Sequence, residues 1–373
     1  MRIGIPKETH REEKRVALAP AGVDALVKSG HSVFIQTGAG YESHFLDEEY
    51  AKCGANIVYT AEEVYQRAEL IVKIAPLTDE EVDMMQDEQI IFSFLHLAVG
   101  KKNIIDKLLK KKITAIAYEL IEKGEQIPIQ QSMSEIAGQL VIQIGEKYLS
   151  SDIPNGRGIL MGGITGVAPA AVVILGAGIV GFNAARSAYA RGAHVIVLDK
   201  DLRRLRRIET NISKNITTVA ANPSTIARGV KFADVFIGAV QIKAEKAPNI
   251  VSEEMVKTMK KGAVLIDVSI DQGGCVETSR PTTISEPVFV LHDVIHYCVP
   301  NIPALVSRTA SFGLTNASLE YILEIADNGL TNALLNDSGL AKGVCTYNGF
   351  CSNETIAETF NVEYRRLHLF STN

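Results

Sequence analysis

A short apolar run rich in β-branched residues, Ala171-Val172-Val173-Ile174-Leu175, leads straight into Gly176-Ala177-Gly178-Ile179-Val180-Gly181. A helix-compatible run, Phe182 to Arg191, leaves that turn, and a second apolar run, His194 to Leu198, ends on Asp199. Strand, glycine turn, helix, strand and acid in this order specify a parallel βαβ unit of the kind that cradles a dinucleotide. Gly176 permits the tight turn, Gly178 lets backbone approach a pyrophosphate, and Gly181 lets the helix pack closely on the strand. The diphosphate would sit over the turn and Ile179, where free N–H groups and the helix dipole favour negative charge. A carboxylate at Asp199 accepts hydrogen bonds from a ribose diol and repels a 2′-phosphate, which favours NAD over NADP. Arg203 and Arg204 follow, and they read either as a phosphate partner or as the solvated face of an amphipathic helix, Asp201 to Arg207.

The chain has 373 residues, 46% of them hydrophobic and 22% charged, with a net charge of −5. That length suggests about two domains, each large enough for its own core. The acidic balance, without a basic stripe interleaved with aromatics, argues against nucleic acid as a partner. Five cysteines, at 53, 275, 298, 345 and 351, follow no regular spacing and suit reduced thiols. The opening Met1-Arg2-Ile3-Gly4-Ile5-Pro6 turns polar too soon for a signal peptide, and no apolar run nears the ~20 residues of a membrane helix. A soluble, cytoplasmic protein is expected. His292, His296 and Cys298 match no closed zinc site, so no metal is expected.

Up to about residue 130, strand-like runs at 2–5, 32–36, 69–74, 89–94 and 113–118 alternate with helical runs near 20–29, 61–67, 78–86 and 101–111. A long helix over 132–149 follows, then a glycine-rich connection. A second strand series lies at 171–175, 194–198, 216–220, 233–237, 263–268 and 287–291. Another long helical stretch begins at Pro303, and the remaining tail is too short to fold alone. The expected fold is α/β, two doubly wound parallel-sheet domains joined by long helices. One is a discontinuous substrate and catalytic domain, 1–130 plus 304–373; the other, 131–303, is a dinucleotide-binding Rossmann domain. A cleft between two such domains is the natural ligand site.

Ligands of open parallel sheets bind outside the carboxyl ends of the strands. Arg15, Lys73, His96 and Asp271 each fall near such an end. A lysine inside the apolar run Leu70–Ile74 needs a partner for its charge, an anionic substrate or a buried carboxylate. His96 reads as a catalytic acid/base or as a satisfied core histidine, Arg15 as a ligand or a surface ion pair. Asp271, beside Gln272-Gly273-Gly274, reads as a site acid or a turn-former. Their joint placement at strand ends points to one site.

Together these residues resemble the alanine dehydrogenases, which are related to the NAD-binding subunit of proton-translocating transhydrogenase. The resemblance runs from Ile5-Pro6-Lys7-Glu8 to about residue 345. It is carried by Lys14–Val23, Phe94–Ala98, Met133–Gly138, the turn Gly176–Gly181, the runs Ile266–Cys275 and Ser279–Thr283, and Asn301 with Pro303. It implies interconversion of L-alanine, NAD and water with pyruvate, ammonium and NADH, usually by a homohexamer. Residue by residue, it implies Arg15 on the substrate carboxylate, Lys73 on the carbonyl or carboxylate, and Met133 also lining the substrate. His96 would be the general acid/base, and Asp271 would orient water or the amine. Ser134, Ile179, Asp199, Arg204, Val240, Asp267, Arg280 and Asn301 correspond to cofactor contacts. The chain departs from the family at Gln241 and Lys243, and at Ala221, where a serine is common. Rival readings are a dehydrogenase for another small amino or keto acid, and a non-catalytic, transhydrogenase-like NAD-binding subunit.

Overall fold

A computed structural model describes residues 1–240 and 249–367. The chain divides into two compact units, Met1–Met133 with Ala304–Asn373, and Ser134–Pro303. The first is built on six parallel strands: β1 (Arg2–Ile5), β2 (Ser32–Gln36), β3 (Asn56–Val58), β4 (Leu70–Val72), β5 (Ile90–Ser93) and β6 (Thr114–Ala117). They lie in the order β6-β5-β4-β1-β2-β3. Every residue of β4, β5 and β6 is buried, as expected of a sheet covered on both faces. The crossovers from β1 reverse direction between β1 and β4, so their carboxyl ends form the switch point at which such sheets bind ligands.

The second unit carries β7 (Ala171–Leu175), β8 (His194–Asp199), β9 (Thr217–Ala220), β10 (Val235–Gly238), β11 (Val264–Asp267), β12 (Val288–Leu291) and β13 (Val294–Tyr297). Their order is β12-β13-β11-β10-β7-β8-β9, with the switch point between β7 and β10. The two long helices are Pro128–Leu149 and Ser307–Asn328. No described helix is long and apolar enough to cross a membrane.

The second sheet departs from expectation at its end. Residues 287–291, expected as the sixth parallel strand, instead form β12, an edge strand paired antiparallel to β13. His292 and Asp293, at φ of 53° and 59°, make the two-residue reversal between them. Two successive left-handed residues suit the twist of a tight hairpin. The sixth parallel position, beside β11, belongs to β13, whose four residues are all buried. The C-terminal tail also pairs: β14 (Val344–Tyr347) lies antiparallel to β6, and β15 (Phe350–Cys351) closes a hairpin on it. The first sheet thereby gains two strands that the sequence reading left as tail.

His296 sits on β13 with no solvent exposure. Its Nδ1 lies 3.0 Å from the Val294 carbonyl and its Nε2 2.8 Å from the Thr278 hydroxyl. A carbonyl only accepts, so Nδ1 carries the proton and Nε2 accepts from Thr278. Burial, partly opposed by the Val294 contact, pushes its pKa from 6.5 down to about 4. The unfolded chain therefore binds a proton that the folded chain refuses between those values. Stability is complete above pH 6.5 and falls as pH drops toward 4, by about 3 kcal/mol for this group. In His296→Gln this part of the acid destabilisation should disappear, read as a shallower fall of Tm between pH 6.5 and 4. An unchanged slope would assign the acid sensitivity to other groups.

Candidate active site

In the first unit the candidate residues lie on the carboxyl-end loops of β1, β4, β5 and β6. Lys73 comes one residue after β4, and its backbone N–H still bonds the Phe92 carbonyl on β5. Its side chain is 1% exposed and lies 3.3 Å from Glu8 and 3.2 Å from Glu81, with the Ala75 carbonyl accepting at 2.8 Å. Burial works against the ammonium, but Glu8 and Glu81 outweigh it and hold the Lys73 pKa above its ordinary value. Lys73 thus sits as a stowed cation with carboxylate partners, one of the two alternatives left open by the sequence.

Each partner is fixed by backbone. Glu8 reaches from the β1 loop across the switch point and accepts from the N–H groups of Ile74 and Ala75, at 2.5 and 3.2 Å. Burial pushes the Glu8 carboxyl up; Lys73 opposes this, and Glu13 and Glu81 add to the rise. Glu81 belongs to a capping box. Thr78 accepts from the Glu81 N–H at 3.2 Å while Glu81 Oε2 accepts from the Thr78 N–H at 2.8 Å, leaving Oε1 to face Lys73.

Arg15 is 5% exposed. Glu13 takes the side-on edge of its guanidinium: Oε1 accepts from Nε at 2.7 Å and Oε2 from Nη2 at 2.6 Å. Nη1 points at Met133 Sδ, 3.2 Å away. A thioether is a weak acceptor, so the end-on edge can take up a carboxylate in a bidentate fork.

His96 lies three residues past β5 with its side chain half exposed, which removes the core-histidine alternative. It adopts a left-handed conformation, φ 46°. Glu119, just past β6, holds that turn by accepting from the His96 N–H at 2.7 Å and the Leu95 N–H at 3.3 Å. The ring stacks on Phe94, with centroids 6.1 Å apart and planes 10° apart. Arg15, Lys73, His96 and Met133 all belong to the first unit. Glu8, Glu13, Glu81 and Glu119 were not singled out by the sequence reading; only Glu81 carried a local signal, the Thr78-Asp79-Glu80-Glu81 capping box.

In the second unit the candidate residues lie at the carboxyl ends of its own sheet. Gly176 has φ 104°, and a Cβ there would lie 2.4 Å from the Ala239 carbonyl oxygen; at Gly181 it would lie 1.8 Å from the Gly176 oxygen. At Gly178 a Cβ would meet nothing within 4 Å, so that backbone faces open space. Gly178 caps the helix Ile179–Ala190 without a side-chain bond, leaving the first N–H groups to a ligand. These features fit a pyrophosphate. Asp199 is 8% exposed and accepts from the Ala177 N–H at 2.6 Å and the Asp201 N–H at 2.8 Å. Its carboxylate has further acceptor capacity for a ribose diol. The Arg204 side chain, 55% exposed, lies 3.9 Å from it. Arg203 pairs instead with Asp201, at 3.0 Å.

Asp271 lies in the turn Val268–Gln272 after β11, exposed, and accepts from the Asn301 N–H at 3.3 Å. These two residues are therefore neighbours. The Val240 carbonyl accepts from Ser269 at 2.7 Å, and Ser134 is half-buried on the helix Pro128–Leu149. Two of the expected cofactor contacts also have partners within the protein. Asp267 is 1% exposed, and its carboxylate accepts from the N–H groups of Ser269, Cys275 and Val276. That carboxylate holds the loop on which Asp271 lies. Arg280 places its guanidinium 4.4 Å from the Phe289 ring centroid, stacked on the edge strand β12. Ala221 donates its N–H to the Asp199 carbonyl at 3.0 Å; Gln241 and Lys243 lie outside the described residues.

Family models for the N-terminal and C-terminal domains of alanine dehydrogenase/PNT match residues 4–137 and 141–354. The chain belongs to the alanine dehydrogenase/PNT family. It is 45% identical over 366 residues to an alanine dehydrogenase of Methanococcus maripaludis, covering 98% of both chains. It is 45% identical over 365 residues to one of Mycolicibacterium smegmatis, again covering 98% of both. A solved L-alanine dehydrogenase superposes with a TM-score of 0.92 at 40% identity, covering 97% of this chain and 99% of that one. Family membership agrees in kind with each unit taken by itself: cations for a small acid on the first sheet, a glycine cradle on the second.

Proposed function

We propose that this chain is an NAD-dependent oxidoreductase that converts L-alanine, NAD and water into pyruvate, ammonium and NADH, and runs the reverse reductive amination. The observation that carries the reading is the gathering of Arg15, Lys73 and His96 on the carboxyl-end loops of β1, β4 and β5 in a full-length relative of alanine dehydrogenases. The end-on edge of Arg15 holds the substrate carboxylate, with Met133 beside it. Such clamping converts encounter into alignment and supplies up to about 7–11 kcal/mol of the barrier. What the dinucleotide supplies when bound is the hydride acceptor; Gly176, Gly178, Ile179 and Gly181 would hold its pyrophosphate and Asp199 its ribose. Loss of hydride from Cα leaves a substrate imine. His96 then takes a proton from the water that attacks the imine carbon and returns one to the departing nitrogen, which leaves as ammonia. Lys73 polarises the carbonyl oxygen once it gives up one of its carboxylate partners, and Asp271 orients the water or amine. Asp199 supports NAD over NADP. A cytoplasmic homohexamer belongs to the same reading and rests on the family resemblance.

The decisive assay follows NADH formation at alkaline pH with a panel of L-amino acids, then with NADP in place of NAD. Activity centred on L-alanine with NAD is expected; activity with none of the amino acids would leave only a dinucleotide-binding role. Arg15→Lys should chiefly raise the KM for alanine, because a point charge cannot reproduce the fork. An unchanged KM would remove Arg15 from the substrate carboxylate.

A further inference from the structure

Met133 lies on the helix Pro128–Leu149, 7% exposed, with its sulfur 3.2 Å from Arg15 Nη1. A thioether is a weak acceptor, so it borders that nitrogen without competing strongly for it. Glu13 pins the guanidinium from its side-on edge: Oε1 accepts from Nε and Oε2 from Nη2. Glu13 Oε1 also accepts from the Arg15 backbone N–H at 3.0 Å. Held in this way, the guanidinium stays against the sulfur and meets whatever that sulfur becomes.

We infer that Met133 is a redox-sensitive modification site, at which a peroxide weakens carboxylate capture by Arg15. The inference rests on the alanine reading, in which a substrate carboxylate needs the same nitrogen. The sulfur gives a lone pair to one oxygen of the peroxide, so an S–O bond forms and the O–O bond breaks. The departing hydroxide takes the proton of the transferred oxygen and leaves as water. Sulfur is oxidised by two electrons and the peroxide is reduced by the same two. The product is a polar sulfoxide, whose oxygen accepts strongly where the thioether accepted weakly. Methionine has three rotatable bonds, so this oxygen turns onto Nη1 and makes a charge-assisted bond. It then occupies one of the two donors that a bidentate carboxylate requires. Access follows from the same reading, since a path that admits a small acid to this edge also admits hydrogen peroxide.

The test treats the enzyme with hydrogen peroxide, removes the oxidant and adds a thiol reductant. The reductant returns sulfenic acids and disulfides to thiols but leaves a sulfoxide in place. In the wild type the KM for L-alanine should rise roughly tenfold, the scale of one hydrogen bond to a charged group, while NADH affinity stays within about twofold. Peptide mass should show one added oxygen on Met133, in a fraction that tracks the rise in KM. In Met133→Leu the same treatment should leave KM at that variant's own starting value, whatever that value is. A rise in KM that persists in Met133→Leu would overturn the inference. So would a Met133 peptide that gains no oxygen, or one that gains it while KM stays unchanged. A parallel fall in NADH affinity would show general damage and overturn it as well. The mass and KM readings on the wild type stand even if the leucine variant does not fold. Failure of the untreated wild type to oxidise L-alanine would strike the proposed function, and is separable because peptide mass needs no turnover.

Discussion

Replacing His96 with alanine lowers turnover roughly 10²–10⁴-fold, the range associated with removing a general acid/base, while NADH affinity stays within about twofold. The size follows from what the ring alone can do. Among the groups gathered on the first sheet, Arg15 does not lose its proton, and Lys73 is held charged by Glu8 and Glu81. Neither can accept the proton of an attacking water, whereas a neutral imidazole carries a ring nitrogen that accepts one. The surrounding turn must survive for the number to be interpretable. Residue 96 has φ 46°, which an alanine adopts at a cost of roughly 1–2 kcal/mol and an asparagine tolerates better. His96→Asn is therefore the companion variant, since the backbone N–H at 96 still reaches Glu119. Both variants should show the same loss in kcat, with Tm lowered in His96→Ala and closer to wild type in His96→Asn. Near-wild-type turnover in either folded protein would remove His96 from the proton traffic.

Much of this site was legible in the chain before any coordinates, and the part that was not has a physical reason. Arg15, Lys73, His96 and Asp271 stand out as candidates because a strand-end position is a sequence-local property, readable from an apolar run and the charge that follows it. Their partners were missed because pairing is not local. Glu8 lies among Lys7, Glu8, Thr9, His10 and Arg11 and reads as solvated loop. Only the adjacency of β1 and β4, a consequence of the doubly wound order, sets it against Lys73 and the Ile74 and Ala75 N–H groups. Glu119 likewise becomes a partner of His96 only because β6 follows β5 in the sheet. The β12 and β13 reversal escaped for a different reason. Both runs are apolar and short, and what separates edge from centre is the left-handed pair His292-Asp293, neither of them a glycine. The partners of Asp267, three backbone donors, and of Arg280, an aromatic ring, are likewise set by the fold and not by the local sequence.

The glycine turn allows an expectation in which stability and ligand affinity come apart. In Gly181→Ala the new Cβ would sit 1.8 Å from the Gly176 carbonyl oxygen, a rigidly placed methyl against backbone. No rotamer relieves that clash, so the helix Ile179–Ala190 must move off β7, carrying Gly178 and the helical N–H groups with it. Overpacking of this kind costs about 1–3 kcal/mol or more, and both Tm and NADH affinity should fall, affinity by at least tenfold. In Gly178→Ala the Cβ meets no protein atom within 4 Å, and φ −66° with ψ −162° suits alanine. Tm should stay unchanged, yet NADH affinity should still fall by tenfold or more, because the methyl fills the space through which backbone approaches the pyrophosphate. Thermal unfolding beside a fluorescence titration of NADH separates the two cases. Wild-type affinity in Gly178→Ala would mean that the phosphates do not lie over this turn, whatever the fate of Gly181→Ala.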